Sequence, residues 1–184
     1  MTRLRAAAFN VAFYAWTTVM LLVCWPILLM PRLWMVAAMA FWARGVMALL
    51  RWLAAIDYEM RGREHIPDGP CIVAAKHQSA WDTIVFHFAV RDPAVVMKRE
   101  LMSIPIYGWL ARRAGMIPVD REGGGAALKA MIVAARRAAA AGRPIVIFPQ
   151  GTRVAPGKRA PYLPGVAALY RDLKLPVVPP AVNS

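Results

Sequence analysis

The chain has 184 residues, 59% of them hydrophobic, and a formal net charge of +13. This length suffices for one domain with a sizeable core, and the charge predicts an anionic partner, either a phosphorylated substrate or an anionic membrane surface. Nucleic acid is not expected as a partner, because the sequence has neither zinc-ligand spacing nor an aromatic RNP-type strand, and it would leave the apolar amino-terminal part unexplained.

The first predicted element is an uncharged, apolar run over residues 6–30. As a helix, this run is long enough to cross about 30 Å of hydrocarbon. Arg3 and Arg5 precede it, so its start is expected to stay on the cytoplasmic side of a membrane. The run is too long for the apolar part of a secretory signal peptide, and no clean small-x-small cleavage site closes it. We therefore interpret it as a membrane-associated helix.

A second apolar run covers residues 33–56, after a break at Pro31. Arg44 and Arg51 lie two helical turns apart within it, and hence on one stripe of the helix. This pattern favours a helix lying in the membrane interface over one that crosses lipid alone. Residues 1–56 are predicted to form a membrane-embedded helical hairpin, either half-inserted or fully spanning, before a basic domain at residues 57–184.

From residue 57 onward, short apolar runs alternate with helical patterns. This alternation predicts an α/β sandwich built on a largely parallel sheet. The predicted strands are 58–61, 71–76, 94–98, 116–119, 144–148 and 177–182, and the predicted helices are 81–90, 106–114, 126–141 and 164–173. Cys24 and Cys71 fall in an apolar helix and a core strand, so we expect buried free thiols, which fits a reducing, cytosol-facing location.

The first segment that could carry chemistry runs from His77 to Asp82, at the end of a predicted strand. If His77 ends the strand and Asp82 lies in the first turn of the next helix, the carboxylate can orient the imidazole. The other imidazole nitrogen can then take a proton from an alcohol. Ser79-x-x-Asp82 is also a capping-box pattern. Taken alone, these residues leave open whether Asp82 serves catalysis or the helix start.

Two further segments indicate anion binding. Residues 148–153, Phe-Pro-Gln-Gly-Thr-Arg, follow an apolar strand and combine a tight turn and exposed backbone N–H groups with a hydroxyl and a guanidinium. Lys98 and Arg121 belong to a cluster of cations that could hold a phosphate. An ordinary polar turn would also explain residues 148–153, and a solvated basic face would explain the cations. Each segment alone therefore leaves open whether it binds an anion.

In their order and spacing these segments resemble the motifs of the PlsC-type 1-acyl-glycerol-3-phosphate acyltransferases, a family of lysophospholipid acyltransferases. His77 and Asp82 match that family's His-x4-Asp motif, and the stretch through Gly115, Asp120 and Arg121 matches its second motif. The third and fourth motifs match residues 148–153 and 176–184. The resemblance covers nearly the whole chain from about Gly62, and the two-helix front also looks like the family's, which implies the glycerolipid acyltransferase fold.

The resemblance implies that His77 is the catalytic general base and that Asp82 orients it. It also implies that a set of later residues binds the acceptor: Arg121, Gly151, Thr152 and Arg153, with Lys98 and Gln150 as weaker members. No metal, cofactor or covalent acyl-enzyme intermediate is implied. The acceptor hydroxyl would attack an acyl thioester, acyl-CoA or acyl carrier protein, directly and yield phosphatidic acid for phospholipid biosynthesis. The expected location is the cell inner membrane, with the catalytic domain facing the cytoplasm.

The sequence departs from this family at two places. Gln150 replaces the usual glutamate of the third motif, which keeps other acceptors open: a lyso-ornithine lipid, another lysophospholipid or glycerol 3-phosphate. The chain stops at Ser184, where family members continue, so its carboxyl-terminal part is expected to be shortened. A non-enzymatic membrane-binding protein would explain the basic surface and the apolar hairpin, but it would leave the His77–Asp82 spacing and the turn at 148–153 as coincidences.

Overall fold

The computed structural model describes residues 2–182, so Asn183 and Ser184 of the predicted fourth motif lie outside the described residues. Within this range, five strands form one sheet: β1 (Ile72–Ala74), β2 (Ala94–Lys98), β3 (Ile117–Val119), β4 (Ile145–Ile147) and β5 (Val177–Val178). The strand order is β3-β2-β4-β1-β5, and all the pairings among these strands are parallel. The predicted α/β fold on a largely parallel sheet is confirmed.

Helices cover both faces of this sheet. They are α1 (Thr2–Cys24), α2 (Arg32–Leu49), α3 (Ala80–Ala89), α4 (Tyr107–Ala114), α5 (Gly124–Ala140) and α6 (Gly165–Leu173). A 3₁₀ turn extends α1 and a π-helical turn extends α2. The resulting helical segments, Arg3–Leu29 and Arg32–Ala54, are each long and apolar enough to cross a membrane, and they suggest membrane association.

The core has two layers because successive side chains of a strand point to opposite faces of the sheet. On one face, Val73, Val95 and Val146 pack against helices α1 to α4. On the other face, Ile72 and Ile145 pack against α5 and α6. The apolar amino-terminal helices are thus confined to one side of the sheet.

Two strand predictions differ from the structure. The strand predicted at 58–61 is wrong, since this segment is exposed and irregular. The ring of Tyr58 packs instead against those of Trp81 and Phe88, at centroid distances of 6.0 and 5.8 Å. The last strand ends at Val178 rather than at residue 182, because two prolines follow that cannot donate backbone hydrogen bonds.

The buried Arg143 joins three chain segments at the amino edge of the sheet. Its guanidinium donates hydrogen bonds of 2.9–3.0 Å to three backbone carbonyl oxygens, those of Pro93, Ala114 and Gly115. It also donates to the carboxylate of Asp92 at 3.1 Å, which accepts two further hydrogen bonds of 2.6 Å from Arg32. Burial raises the pKa of Asp92, but the hydrogen bonds and charges of the two arginines outweigh it and hold that pKa below its ordinary value.

Candidate active site

The predicted functional segments all follow the carboxyl ends of neighbouring strands. In sheet order, Arg121 follows β3, Lys98 ends β2, residues 148–153 follow β4 and His77 follows β1. Ligand sites of open parallel sheets form at this edge, since the loops that leave adjacent strands meet there. Strand order therefore brings together residues that are separated by up to 76 positions in the chain.

His77 and Asp82 meet at this edge as the spacing predicts. His77 lies three residues beyond β1 and is 8% exposed, whereas Asp82 is fully buried in the first turn of α3. The Nδ1 atom of His77 is 3.2 Å from Oδ2 of Asp82. A hydrogen bond from Nδ1–H to this carboxylate leaves Nε2 as the proton acceptor of the ring.

Asp82 also caps α3, so the two roles that the sequence left open coexist in one carboxylate. Its Oδ2 accepts hydrogen bonds from the backbone N–H groups of Gln78, at 2.5 Å, and Ser79, at 2.8 Å. The side chain of Ser79 completes the capping box by accepting the backbone N–H of Asp82, and it also accepts that of Trp81 at 3.2 Å. These donors compensate the burial of the carboxylate and fix the position from which it orients His77.

Residues 148–154 hold His77 from the opposite side. The rings of Phe148 and His77 lie 4.6 Å apart between centroids, at an angle of 31°. The side-chain oxygen of Gln150 accepts the backbone N–H of His77 at 3.3 Å, and the carbonyl oxygen of His77 accepts the N–H of Val154 at 2.8 Å. The imidazole is thus fixed by its own backbone as well as by Asp82.

A cavity of about 550 Å³ opens in front of His77, within the usual range of about 300–1,000 Å³ for small-molecule sites. Five of the predicted site residues line it: His77, Lys98, Arg121, Thr152 and Arg153. The rest of its wall is mainly apolar, with Met20 of α1, Met35 of α2 and Leu110 of α4 among its members. Three predicted residues lie outside this wall: Asp82 is buried beside Nδ1 of His77, Gly151 lines a neighbouring cavity, and Gln150 is buried beside the backbone of His77.

The charges of the cavity are positive and concentrated at the exposed cations. Arg121 and Arg153 are exposed, and Lys98 forms a salt bridge of 3.3 Å with Glu100. Among the described residues, the cavity wall contains no acidic side chain. An amphipathic ligand with an anionic headgroup fits this distribution, since the headgroup would meet the arginines and the apolar part would meet the helices.

Residues 57–183 match the sequence profile of the family described as Acyltransferase, which covers more than half of the chain. The chain belongs to this acyltransferase family. The resemblance seen in the motifs is therefore confirmed.

Relatives of this chain include proteins from bacteria and animals. A 1-acyl-sn-glycerol-3-phosphate acyltransferase of Pseudomonas aeruginosa is 36% identical over 143 residues, which are 78% of this chain and 56% of the relative. The human 1-acyl-sn-glycerol-3-phosphate acyltransferase alpha is 30% identical over 137 residues, 73% of this chain and 48% of the relative. The chain thus spans about half the length of the curated relatives it matches.

The fold is shared with a solved structure. The crystal structure of PlsC, a 1-acyl-sn-glycerophosphate (LPA) acyltransferase from Thermotoga maritima, matches with a TM-score of 0.75 at 24% identity. The match covers 97% of this chain and 75% of that one. It therefore includes the amino-terminal helices of this acyltransferase as well as its sheet.

Three contributions to the site were missed at the level of sequence. The stacking of Phe148 on His77 and the support from Gln150 both arise within the third motif, where only anion binding was predicted. His87 lines the cavity in front of His77, and its ring lies 6.4 Å from that of Trp42. Burial lowers the pKa of His87 to about 4. It is thus a neutral imidazole at neutral pH, which suits the apolar interior of the cavity.

Replacing Gln150 by alanine is expected to lower kcat about tenfold or more while the KM for the acceptor stays unchanged. The substitution leaves the buried N–H of His77 without its acceptor, which costs about 1–3 kcal/mol and loosens the position of His77. Gln150→Glu keeps an oxygen at the same position and should retain most of the activity. Steady-state kinetics of both variants provide the measurement, and equal losses in the two would contradict a role through this hydrogen bond.

Proposed function

We propose that this protein transfers a fatty acyl group from an acyl thioester to the free hydroxyl of 1-acyl-glycerol 3-phosphate, giving phosphatidic acid. The observation that carries the proposal is the His77–Asp82 pair facing a cavity with exposed cations and an apolar interior. The names of the relatives from Pseudomonas aeruginosa and human support the same acceptor.

His77 serves as the general base in this reaction. Its Nε2 takes the proton of the acceptor hydroxyl as the oxygen bonds to the thioester carbonyl carbon. The carbon–sulfur bond then breaks, and the imidazolium returns the proton to the departing thiolate. Asp82 orients the ring and stabilises its positive charge during the transfer.

Arg121 and Arg153 are assigned to the phosphate of the acceptor. Both line the cavity of His77 and both are exposed, so that a headgroup can reach them. Guanidinium groups bind phosphate through charge-assisted, often bidentate hydrogen bonds. Thr152, the neighbour of Arg153 in the chain, adds a hydroxyl to the wall of the same cavity. Lys98 contributes less, because its salt bridge with Glu100 already neutralises its charge.

The lipid acceptor reaches the site from a bilayer. Large apolar side chains on the extended helices α1 and α2 are exposed, including Val11, Leu22, Leu29, Trp34 and Trp52. Such a surface is far more apolar than that of a soluble domain and is buried favourably in lipid. The proposed location is the inner membrane of the cell, with the catalytic domain on the cytoplasmic side, where Arg3 and Arg5 at the start of α1 are expected to stay.

Acyl transfer to lysophosphatidic acid, compared with transfer to a monoacylglycerol that lacks the phosphate, tests this function. The wild-type protein is assayed in liposomes with acyl-CoA and with acyl carrier protein as donors. Turnover that requires the phosphate supports the proposed acceptor. Turnover of a lyso-ornithine lipid in place of lysophosphatidic acid would retain the chemistry and overturn the acceptor, and no transfer to any lyso-lipid would overturn the enzyme.

Arg121→Ala and Arg153→Ala are each expected to raise the KM for lysophosphatidic acid about 10- to 100-fold. A hydrogen bond to a charged group contributes about 1.5–3 kcal/mol, and both ground state and transition state lose it. Arg159→Ala is the matched control, since Arg159 is exposed and lies outside the cavity wall. A loss confined to kcat, with the acceptor's KM intact, would contradict the phosphate assignment.

A further inference from the structure

A second cavity of about 300 Å³ lies on the sheet face that carries α5 and α6. Its floor is buried and apolar, formed by Val96, Met131 and Ile147, whereas Gly125 and Leu163 at its rim are exposed. Its volume is at the lower end of the range for small-molecule sites. Of the residues with an acceptor or catalytic role in the proposed function, Arg121 alone lines this cavity, and the rest of its wall has no role in that proposal.

The second cavity adjoins the cavity in front of His77, here called the catalytic cavity, at Phe148. Three residues line both cavities, Val96, Arg121 and Phe148. The ring of Phe148 contacts that of His77, so a ligand in the second cavity would end beside the general base. The two cavities therefore approach His77 from opposite faces of the sheet.

The walls of the two cavities suit different substrates. Residues of α1 and α2 line the catalytic cavity, whereas the wall of the second cavity, among the residues that the structure describes, takes none from these two helices. A substrate dissolved in water would thus enter the second cavity away from the helices that suggest membrane association. In the proposed reaction, the water-soluble substrate is the thioester donor.

We propose that the second cavity binds the phosphopantetheine arm of the acyl donor, the group that CoA and acyl carrier protein share. This inference rests on the proposed function. The acyl chain lies in the catalytic cavity, the thioester lies at Phe148 beside His77, and the arm extends across the second cavity to its exposed rim. After the acceptor oxygen bonds to the acyl carbon and the carbon–sulfur bond breaks, the thiol leaves with its proton through the second cavity.

The composition of this wall fits an arm that alternates amides with apolar carbon. Six of the lining residues are glycine or proline and present main chain rather than long side chains: Gly124, Gly125, Pro149, Gly151, Pro164 and Gly165. Gly151 has a φ of +65°, and a Cβ there would lie 2.5 Å from Cδ1 of Leu163. A side chain at this position would push Leu163 out of place at the rim, so glycine keeps the passage open.

Side chains that fill the second cavity test the proposal. Ala127→Trp places a large ring in the cavity, and Gly125→Leu adds a side chain where a Cβ meets nothing within 4 Å. Ala130→Trp is the matched control, because Ala130 is exposed on α5 and outside the cavity wall. With both filling variants, the KM for acyl-CoA and for acyl carrier protein should rise at least about tenfold, while the KM for the lysophospholipid changes by less than about twofold.

The outcomes separate this inference from the proposed function. Wild-type turnover combined with unchanged donor KM values in a folded Gly125→Leu protein overturns the arm site and leaves the enzyme assignment standing. A rise in the acceptor's KM instead of the donor's would assign the second cavity to the lysophospholipid and overturn the proposal. If the wild type shows no turnover, binding of free CoA decides: loss of binding in both filling variants supports the site, and equal or absent binding overturns it. A rise confined to one donor would identify that donor's carrier, rather than the shared arm, as the bound group and contradict the proposal.

Discussion

His77→Ala is expected to lower kcat for acyl transfer about a thousandfold, within the contribution of about 10²–10⁴ that general bases make. Without the imidazole, the acceptor hydroxyl must attack the thioester with its proton still bound. The KM values for both substrates should change little, because His77 contacts the reacting atoms rather than the headgroup. Single-turnover acyl transfer in liposomes measures the chemical step directly.

His65→Ala provides the control for this experiment. His65 lies in an exposed helical turn, away from both cavities, so its removal should leave kcat unchanged. Asp82→Asn should also lower kcat, but it affects the capping of α3 as well, which makes it a less specific probe than His77→Ala. Activity above about a tenth of wild type in a folded His77→Ala protein would assign proton removal to another group and contradict the proposed mechanism.

Local patterns in the sequence were sufficient to predict most of the sheet. Strand β2 has the predicted bounds, and β1, β3 and β4 lie within theirs, because each is a short apolar run between polar turns. The segment at 58–61, Tyr-Glu-Met-Arg, alternates apolar and charged side chains as a half-buried strand would, but it is irregular. Its aromatic ring finds partners on α3 without strand pairing, and such tertiary contacts are invisible in a local pattern.

The candidate site was predicted in its parts and not in its arrangement. The spacing of His77 and Asp82 predicted their contact, since a strand end and the next helix start lie close together. Gln150 was assigned to the acceptor through the resemblance of its motif to that of the family, yet its side chain supports the backbone of His77. Only the order of the strands, β4 beside β1, decides which part of the motif faces the cavity.

The walls of both cavities form where helices pack on the sheet, and the hydrophobic periodicity of the sequence does not describe these contacts. Met20 and Met35 contribute to the catalytic cavity because α1 and α2 pack over the sheet, a contact between distant parts of the chain. The Arg143 cluster was missed for the same reason, as its partners come from positions far apart in the chain. Long-range contacts of this kind emerge only when the order of the strands is known.

Arg143→Met is expected to destabilise the folded protein by about 3–5 kcal/mol, the usual cost of removing one partner from a buried charged network. Methionine fills part of the volume but leaves three carbonyl oxygens at the amino edge of the sheet without their donor. Arg136→Met is the matched control, since the Arg136–Asp172 salt bridge is largely exposed at the arginine and should contribute little to stability. Thermal unfolding in one detergent should show a fall of roughly 10 °C for Arg143→Met and a small change for Arg136→Met. Equal shifts in the two variants would contradict a structural role for the Arg143 cluster, because burial and the number of hydrogen bonds are what distinguish the two arginines.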